Sequence, residues 1–123
     1  MAETIGGDTI KTGGSEVVEK MLADLPGGKS LDLSDVTDEY DADGMIPEGT
    51  PIFVDAGAYK PLLEADLVAN GPAVVGILFR EVPVANPDAS ICIRGVVNED
   101  KMPFAVDAAL KAALPGISFI TYP

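Results

Sequence analysis

The sequence contains no histidine and no tryptophan, and its single cysteine is Cys92. Without histidine the chain cannot form a Ser-His-Asp or Cys-His catalytic arrangement or an imidazole metal site. One cysteine allows neither an internal disulfide nor a cysteine-cluster zinc site. These absences exclude the corresponding hydrolase and zinc-binding classes.

Basic residues are scarce, because eight lysines and arginines stand against 20 aspartates and glutamates, for a net charge of -12. Phosphate binding needs a basic surface, so this balance argues against nucleic acid as a direct partner and against an anionic membrane surface. No apolar run approaches the roughly 20 residues of a membrane helix, and the N-terminus lacks the basic start and apolar core of a secretion signal. We therefore expect a soluble protein that is made in the cytoplasm.

The 123 residues are 47% hydrophobic, which predicts one folded domain. Thirteen glycines and ten prolines favour short strands and turns over long helices. The composition changes near residue 44. Residues 1–43 are polar and carry a dense acidic series between Lys29 and Lys60, so we interpret them as an extended N-terminal arm. Residues 44–123 form the predicted domain.

Short apolar runs between turn signals predict the strands of this domain. They cover residues 51–55, 59–63, 73–82, 89–97 and 117–121. The first two runs flank an Ala-Gly-Ala sequence that predicts a hairpin, and Asn70-Gly71-Pro72 predicts a turn before the third. Residues 104–114 are strong helix formers and predict a helix, with Pro103 in its first turn and Pro115-Gly116 at its end.

The predicted strand at residues 89–97 alternates between two sets of side chains. Ile91, Ile93 and Gly95 fall on one face, and Ser90, Cys92 and Arg94 fall on the other. A free cysteine in such a strand is usually a small packing residue. The resulting fold class is mainly β with one short helix, a small β-barrel preceded by the arm.

Residues 23–30 end in Gly28-Lys29-Ser30 and fit a relaxed phosphate-binding loop. That loop requires a strand before it and a helix whose N-terminus faces the phosphates. The residues after Ser30 are acidic and poor helix formers, so a plain glycine-rich loop is the better interpretation. A small nucleotide-binding protein that uses this loop is kept as a remote alternative.

Residues 39–44 alternate carboxylates with other residues and end in glycine, as a calcium loop does. The loop would begin with Glu39 rather than aspartate, and Thr50 stands where the closing glutamate belongs, so a solvated acidic connector fits better. No Gly-x-Ser-x-Gly nucleophile motif occurs. We predict no catalytic residues, no metal site and no cofactor, and we do not expect an enzyme.

The order of elements after residue 44 resembles the family of phage head decoration proteins, to which that of phage lambda belongs. The resemblance starts with the Thr-Pro-Ile-Phe-Val-Asp strand at residues 50–55 and continues with Gly-Pro-Ala-Val-Val-Gly-Ile-Leu at residues 71–78. The Glu99-Asp100 pair, Pro103 with the helix, and Ile-Ser-Phe-Ile at residues 117–120 follow in the same order. The resemblance covers about residues 44–121.

This resemblance implies a β-barrel of the β-clip type that trimerises at three-fold positions on the outer surface of an expanded phage head. The implied partners are the major capsid protein and two further copies of the chain, and the implied role is to stabilise the shell in the virion. In this family the arm contacts the shell by adding a strand to capsid subunits. The apolar anchors of this arm are Ile5, Ile10, Val17, Val18, Met21 and Leu22.

Deletion of residues 1–24 is then expected to leave a folded domain that no longer binds the shell. A head fibre or another trimeric β-structured surface module remains an alternative, because it would trimerise without a capsid.

Overall fold

The computed structural model of the chain describes residues 2–5, 8–11, 17–24, 29–34, 40 and 44–121. The fold is mainly β, with short helical segments, as the sequence predicts. The described strands are β1 (Ala2–Ile5), β2 (Asp8–Lys11), β3 (Val18–Asp24), β4 (Lys29–Ser30), β5 (Met45–Ile46), β6 (Pro51–Asp55), β7 (Ala58–Pro61), β8 (Val74–Leu78), β9 (Val82–Pro83), β10 (Asp88–Ala89), β11 (Ile91–Asn98) and β12 (Ile117–Ile120). The described α-helices are α1 (Leu67–Asn70) and α2 (Ala108–Ala113).

Eight strands form one sheet in the order β1-β2-β3-β11-β8-β6-β7, and β12 also pairs with β11. The β11–β12 pair is parallel, whereas the other neighbours in this sheet are antiparallel. Two small ribbons, β4–β10 and β5–β9, complete the described pairing. These sheets do not close into a barrel within the described residues, so the predicted barrel closure is not found.

Strand β11 is the centre of the large sheet. It pairs with β3 along one edge, while β8 and β12 share the other edge. Ile91 and Cys92 are neighbours in sequence and both are fully buried, each in a different core cluster. Ile91 and Cys92 thus lie on opposite faces of β11, as the predicted alternation requires, and the interpretation of Cys92 as a small packing residue is confirmed. Arg94 is exposed.

Two groups of buried side chains hold the fold together. The main core combines residues of the sheet with Leu110 and Leu114 at the end of α2, and it includes Val18, Ile77 and Val97. The second core is built on the opposite side of the same strands. Its members are Leu31, Ile46, Ile52, Leu78, Val82, Ala89 and Ile91. Ile77 and Leu78 belong to different cores, as expected for consecutive residues of a strand.

The predicted β6–β7 hairpin is confirmed. The strands pair from Ile52–Pro61 to Asp55–Ala58. Ala56 and Gly57 connect them with φ angles of 52° and 83°, which is the positive-φ combination of a type I′ turn. This turn matches the right-handed twist of the strands that it joins.

The predicted helix at residues 104–114 begins too early. The first helical residue is Ala108, because the carboxylate of Asp107 caps the helix by accepting a hydrogen bond from the backbone N–H of Leu110 at 2.9 Å. Pro103 therefore lies outside the first turn. The Asn70-Gly71-Pro72 prediction also needs correction, since α1 ends at Asn70 and a 3-10 helix follows at Gly71–Ala73.

The extended arm predicted for residues 1–43 does not describe residues 17–24. Strand β3 pairs with β11, and Val18 is fully buried in the main core. Residues 29–31 are also bonded to the domain. Strand β4 pairs with β10, and the Leu31 N–H donates to the Pro87 carbonyl at 2.9 Å. The polar composition of residues 1–43 predicts an arm, but Val17 and Val18 are buried in the core of the domain.

Candidate functional site

The first described residues form an antiparallel hairpin, which we call the N-terminal hairpin (β1 and β2). Ile5 pairs with Asp8, and Ile10 pairs with Glu3. On its other side Ile10 pairs with Lys20 of β3, so the hairpin extends the domain sheet. Within the described residues β1 pairs only with β2 and stands at the edge of the sheet.

Val17 and Val18, two of the predicted capsid anchors, hold the chain to its own domain instead. Oε2 of Glu48 accepts hydrogen bonds from the N–H groups of Val17 and Val18, at 3.1 and 3.0 Å. The carbonyl of Val17 accepts a third, from the N–H of Asn98 at 2.7 Å. Both valines are buried, so their assignment as anchors for another protein is wrong in this fold.

Met21 and Leu22, the remaining predicted anchors, differ from each other. Met21 is partly buried and packs against the main core, whereas 58% of Leu22 is exposed. The pairing explains the difference. Met21 pairs with Gly95 and Ala23 pairs with Arg94, so Leu22 is the extra residue of a β-bulge. Leu22 is therefore the large exposed apolar side chain of β3.

Val68 is the other large apolar side chain that is exposed in the described part of the chain, at 84%. It lies in α1, on the surface of the helical segment that precedes β8. The sequence does not predict this exposure, because a single valine in a short apolar run can be either buried or exposed.

A cleft of about 270 Å³ opens beside the β6–β7 hairpin, which we call the acidic cleft. Three carboxyl groups, one ammonium and an apolar wall line it. The lining residues are Asp32, Phe53, Asp55, Lys60, Pro61, Asp66 and Asn70. Asp55 and Lys60 form an ion pair at 3.1 Å, which leaves the lining with an excess of carboxyl groups.

Asp32 stands at the edge of this cleft. Its Oδ1 accepts a hydrogen bond from the backbone N–H of Ser34 at 3.0 Å. This bond, the Ser34 side chain and the charge of Lys60 lower the pKa of Asp32 below its usual value. Asp32 is therefore ionised at neutral pH, and its charge favours a cationic group over an anionic one in the cleft.

The phosphate-loop motif lacks a matching local structure in the residues that are described. Lys29 and Ser30 form β4, and the Lys29 Nζ lies 5.4 Å from the centre of the Tyr59 ring. Residues 31–33 are not helical, although a phosphate loop would start its helix there. Gly28 and most of the acidic segment 39–44 lie outside the described residues.

Two further kinds of feature are absent from the part of the chain that the structure describes. The described residues contain no group of three or more His, Cys, Asp or Glu side chains arranged to hold a metal ion. Within the same residues, no helix has the length and apolar character needed to cross a membrane. Comparison of the chain with protein-family models, curated proteins and solved structures gave no match.

Proposed function

We propose that this protein is a non-enzymatic capsid decoration protein that binds as a trimer to the outer surface of a phage head and stabilises the expanded shell. The observation that carries the proposal is the N-terminal hairpin, which extends the domain sheet and ends at the edge strand β1. An edge strand offers unpaired backbone N–H and C=O groups, with which a strand of another chain can pair. The major capsid protein is the proposed source of that strand.

The geometry narrows the proposed contact to a smaller set of residues than the six anchors. Ile5 and Ile10 lie in the hairpin, and Leu22 is exposed next to it along β3. Val17 and Val18 leave the set because they are buried in the domain. The contact surface that we propose therefore consists of the hairpin and Leu22.

The order of the domain elements supports the same proposal. The β6–β7 hairpin, β8, β11, α2 and β12 follow one another in the order that the resemblance to phage head decoration proteins requires. The finer expectation, a β-clip domain, is part of this proposal. A trimer would present three hairpins at once, so modest affinity of each one would give tight attachment to the shell. A net charge of -12 would keep the trimer from binding the packaged nucleic acid.

Deletion of residues 1–16 tests the proposal. This deletion removes the hairpin but keeps Val17 and Val18, which belong to the core, so the variant should unfold cooperatively like the full chain. We expect it to lose binding to expanded empty heads of the cognate phage, measured by cosedimentation. A truncated chain that still saturates the heads would show that the hairpin is not the contact.

The larger deletion of residues 1–24 is a different experiment. It removes β3 and two buried valines, and loss of buried apolar side chains of this size costs several kcal/mol. We expect this variant to be unfolded, contrary to the expectation drawn from the sequence.

Failure of the full-length chain to bind the heads would overturn the decoration function itself.

A further inference from the structure

The pairing of β3 with β11 is irregular. The register shifts between Cys92 and Arg94, between Arg94 and Gly95, and between Val96 and Val97. Each shift interrupts the hydrogen-bonded ladder and leaves a residue between paired positions. Three of the four steps between its five paired positions are irregular, so contacts outside the ladder contribute to the position of β3. A slip by one residue would exchange the two faces of the strand.

The N-terminal end of β3 is held by a contact outside this ladder. Oε2 of Glu48 accepts hydrogen bonds from the two consecutive N–H groups of Val17 and Val18. A charged acceptor makes stronger hydrogen bonds than a neutral one. Because β11 itself does not supply these bonds, they act on the position of β3 independently of the ladder.

The turn that carries Glu48 is itself fixed. The Gly49 N–H donates to the Leu78 carbonyl at 2.9 Å, and the hydroxyl of the buried Thr50 donates to the Pro47 carbonyl at 2.7 Å. Gly49 has a φ of +88°, and any side chain at this position would collide with that of Val17. The carboxylate and the space for Val17 are therefore both set by the same turn.

The sequence around Val17 disfavours any other register of β3. Glu16 precedes the two valines and Glu19 follows them. A slip of one residue in either direction would move a glutamate toward a place that is now filled by a buried apolar side chain, and burying an unpaired charge is costly. Only the observed register gives both valines their buried positions.

We infer that Glu48 is the register lock of β3: its carboxylate fixes Val17 and Val18, and thereby sets where the strand and the hairpin attached to it lie. The hairpin depends on β3 through the Thr9–Met21 and Ile10–Lys20 pairs. This role rests on the proposed function, in which the hairpin contacts the capsid. Glu48 is then the residue that positions the hairpin for that contact.

Hydrogen exchange of the full chain, followed by mass spectrometry, tests the lock. In Glu48→Ala we expect the amides of β3 to exchange about 10- to 100-fold faster than in the unchanged protein, because the strand opens locally. Glu48→Gln keeps an uncharged acceptor and should give a smaller increase. Glu81→Ala removes an exposed carboxylate elsewhere and is the matched control, with no change expected in β3.

The amides of residues 74–77 in β8 provide the internal reference, since β8 does not pair with β3 and Leu78, which is hydrogen-bonded to the turn of Glu48, is left out. Faster exchange in β3 with unchanged exchange in β8, in either Glu48 variant, supports the lock. Equal exchange of β3 in Glu48→Ala and Glu81→Ala overturns it. Equal acceleration of β3 and β8 in both Glu48 variants also overturns it, because the effect would then be global. The measurement needs no capsid, so its outcome is separate from that of the head-binding experiment.

Discussion

At the scale of single residues, Gly95 shows why β3 and β11 can approach so closely. A Cβ atom at this position would collide with the backbone carbonyl oxygen of Lys20 and would lie 3.1 Å from the sulfur of Cys92. Backbone atoms cannot move aside as the end of a flexible side chain can. The absence of a side chain at Gly95 is therefore a condition for the observed contact between the two strands.

We expect Gly95→Ala to lower the free energy of unfolding by roughly 1–3 kcal/mol, the usual cost of overpacking, as measured by urea denaturation. Gly71→Ala is the control, since the nearest atom to its Cβ would be at 3.6 Å, an ordinary contact. That substitution should be neutral or slightly stabilising. Equal stability of the two variants would contradict the steric explanation.

At the scale of elements, the sequence predicts best where the signal is local. The β6–β7 hairpin follows from two apolar runs around Ala-Gly-Ala, and β12 follows from the apolar run after Pro115-Gly116. Strand β3 carries only a short apolar stretch that Glu19 and Lys20 interrupt, and its place in the sheet depends on β11, far along the chain. The predicted helix start is too early for a local reason: the apolar spacing from Phe104 onward outweighs Asp107, an N-cap residue type whose capping hydrogen bond the structure shows.

The candidate site shows the same limit. Isolated apolar residues in a polar segment can be anchors for a partner or members of the core, and the sequence looks alike in both cases. Leu22 is exposed while Val18 is fully buried, although both belong to one apolar stretch. What separates them is the bulge at Leu22 and the contact of Val18 with Glu48, and both depend on residues far away in the sequence.

The turn of the β6–β7 hairpin gives the prediction at this scale. Ala56 has a φ of 52°, a conformation that costs an ordinary L-residue about 1 kcal/mol. Asn-Gly is the preferred pair for such a turn, so Ala56→Asn should raise the free energy of unfolding by about 0.5–1 kcal/mol. Ala56→Val, which is β-branched, should lower it. Thermal unfolding of both variants checks the prediction. Equal stability of the two variants, or a Val variant that is more stable than the Asn variant, would contradict it.

At the scale of the whole molecule, the net charge opposes the association of copies of the chain. Each chain carries a net charge of -12, so copies repel one another at low ionic strength and less so when salt screens them. The proposed trimer has to overcome this repulsion at its interface. Its formation should therefore depend on salt as well as on concentration.

We expect light scattering at physiological salt to give a mass near three times 12.7 kDa at high protein concentration. The mass should fall toward that of the single chain when the salt is diluted, because repulsion grows. A mass of 12.7 kDa at every concentration and salt level would contradict a trimer in solution. The shell would then have to assemble the trimer.

The position of β11 in the sheet also determines the order in which a newly made chain can fold. Val18 pairs with Val97, and Lys20 pairs with Val96, so β3 cannot complete its pairing until β11 has been synthesised, although its other neighbour, β2, precedes it. Contacts between such distant residues form slowly, because a long loop must close first. Strand β3 leaves the ribosome before β11 does, and in that interval its apolar residues lack the cover that β11 provides in the finished fold.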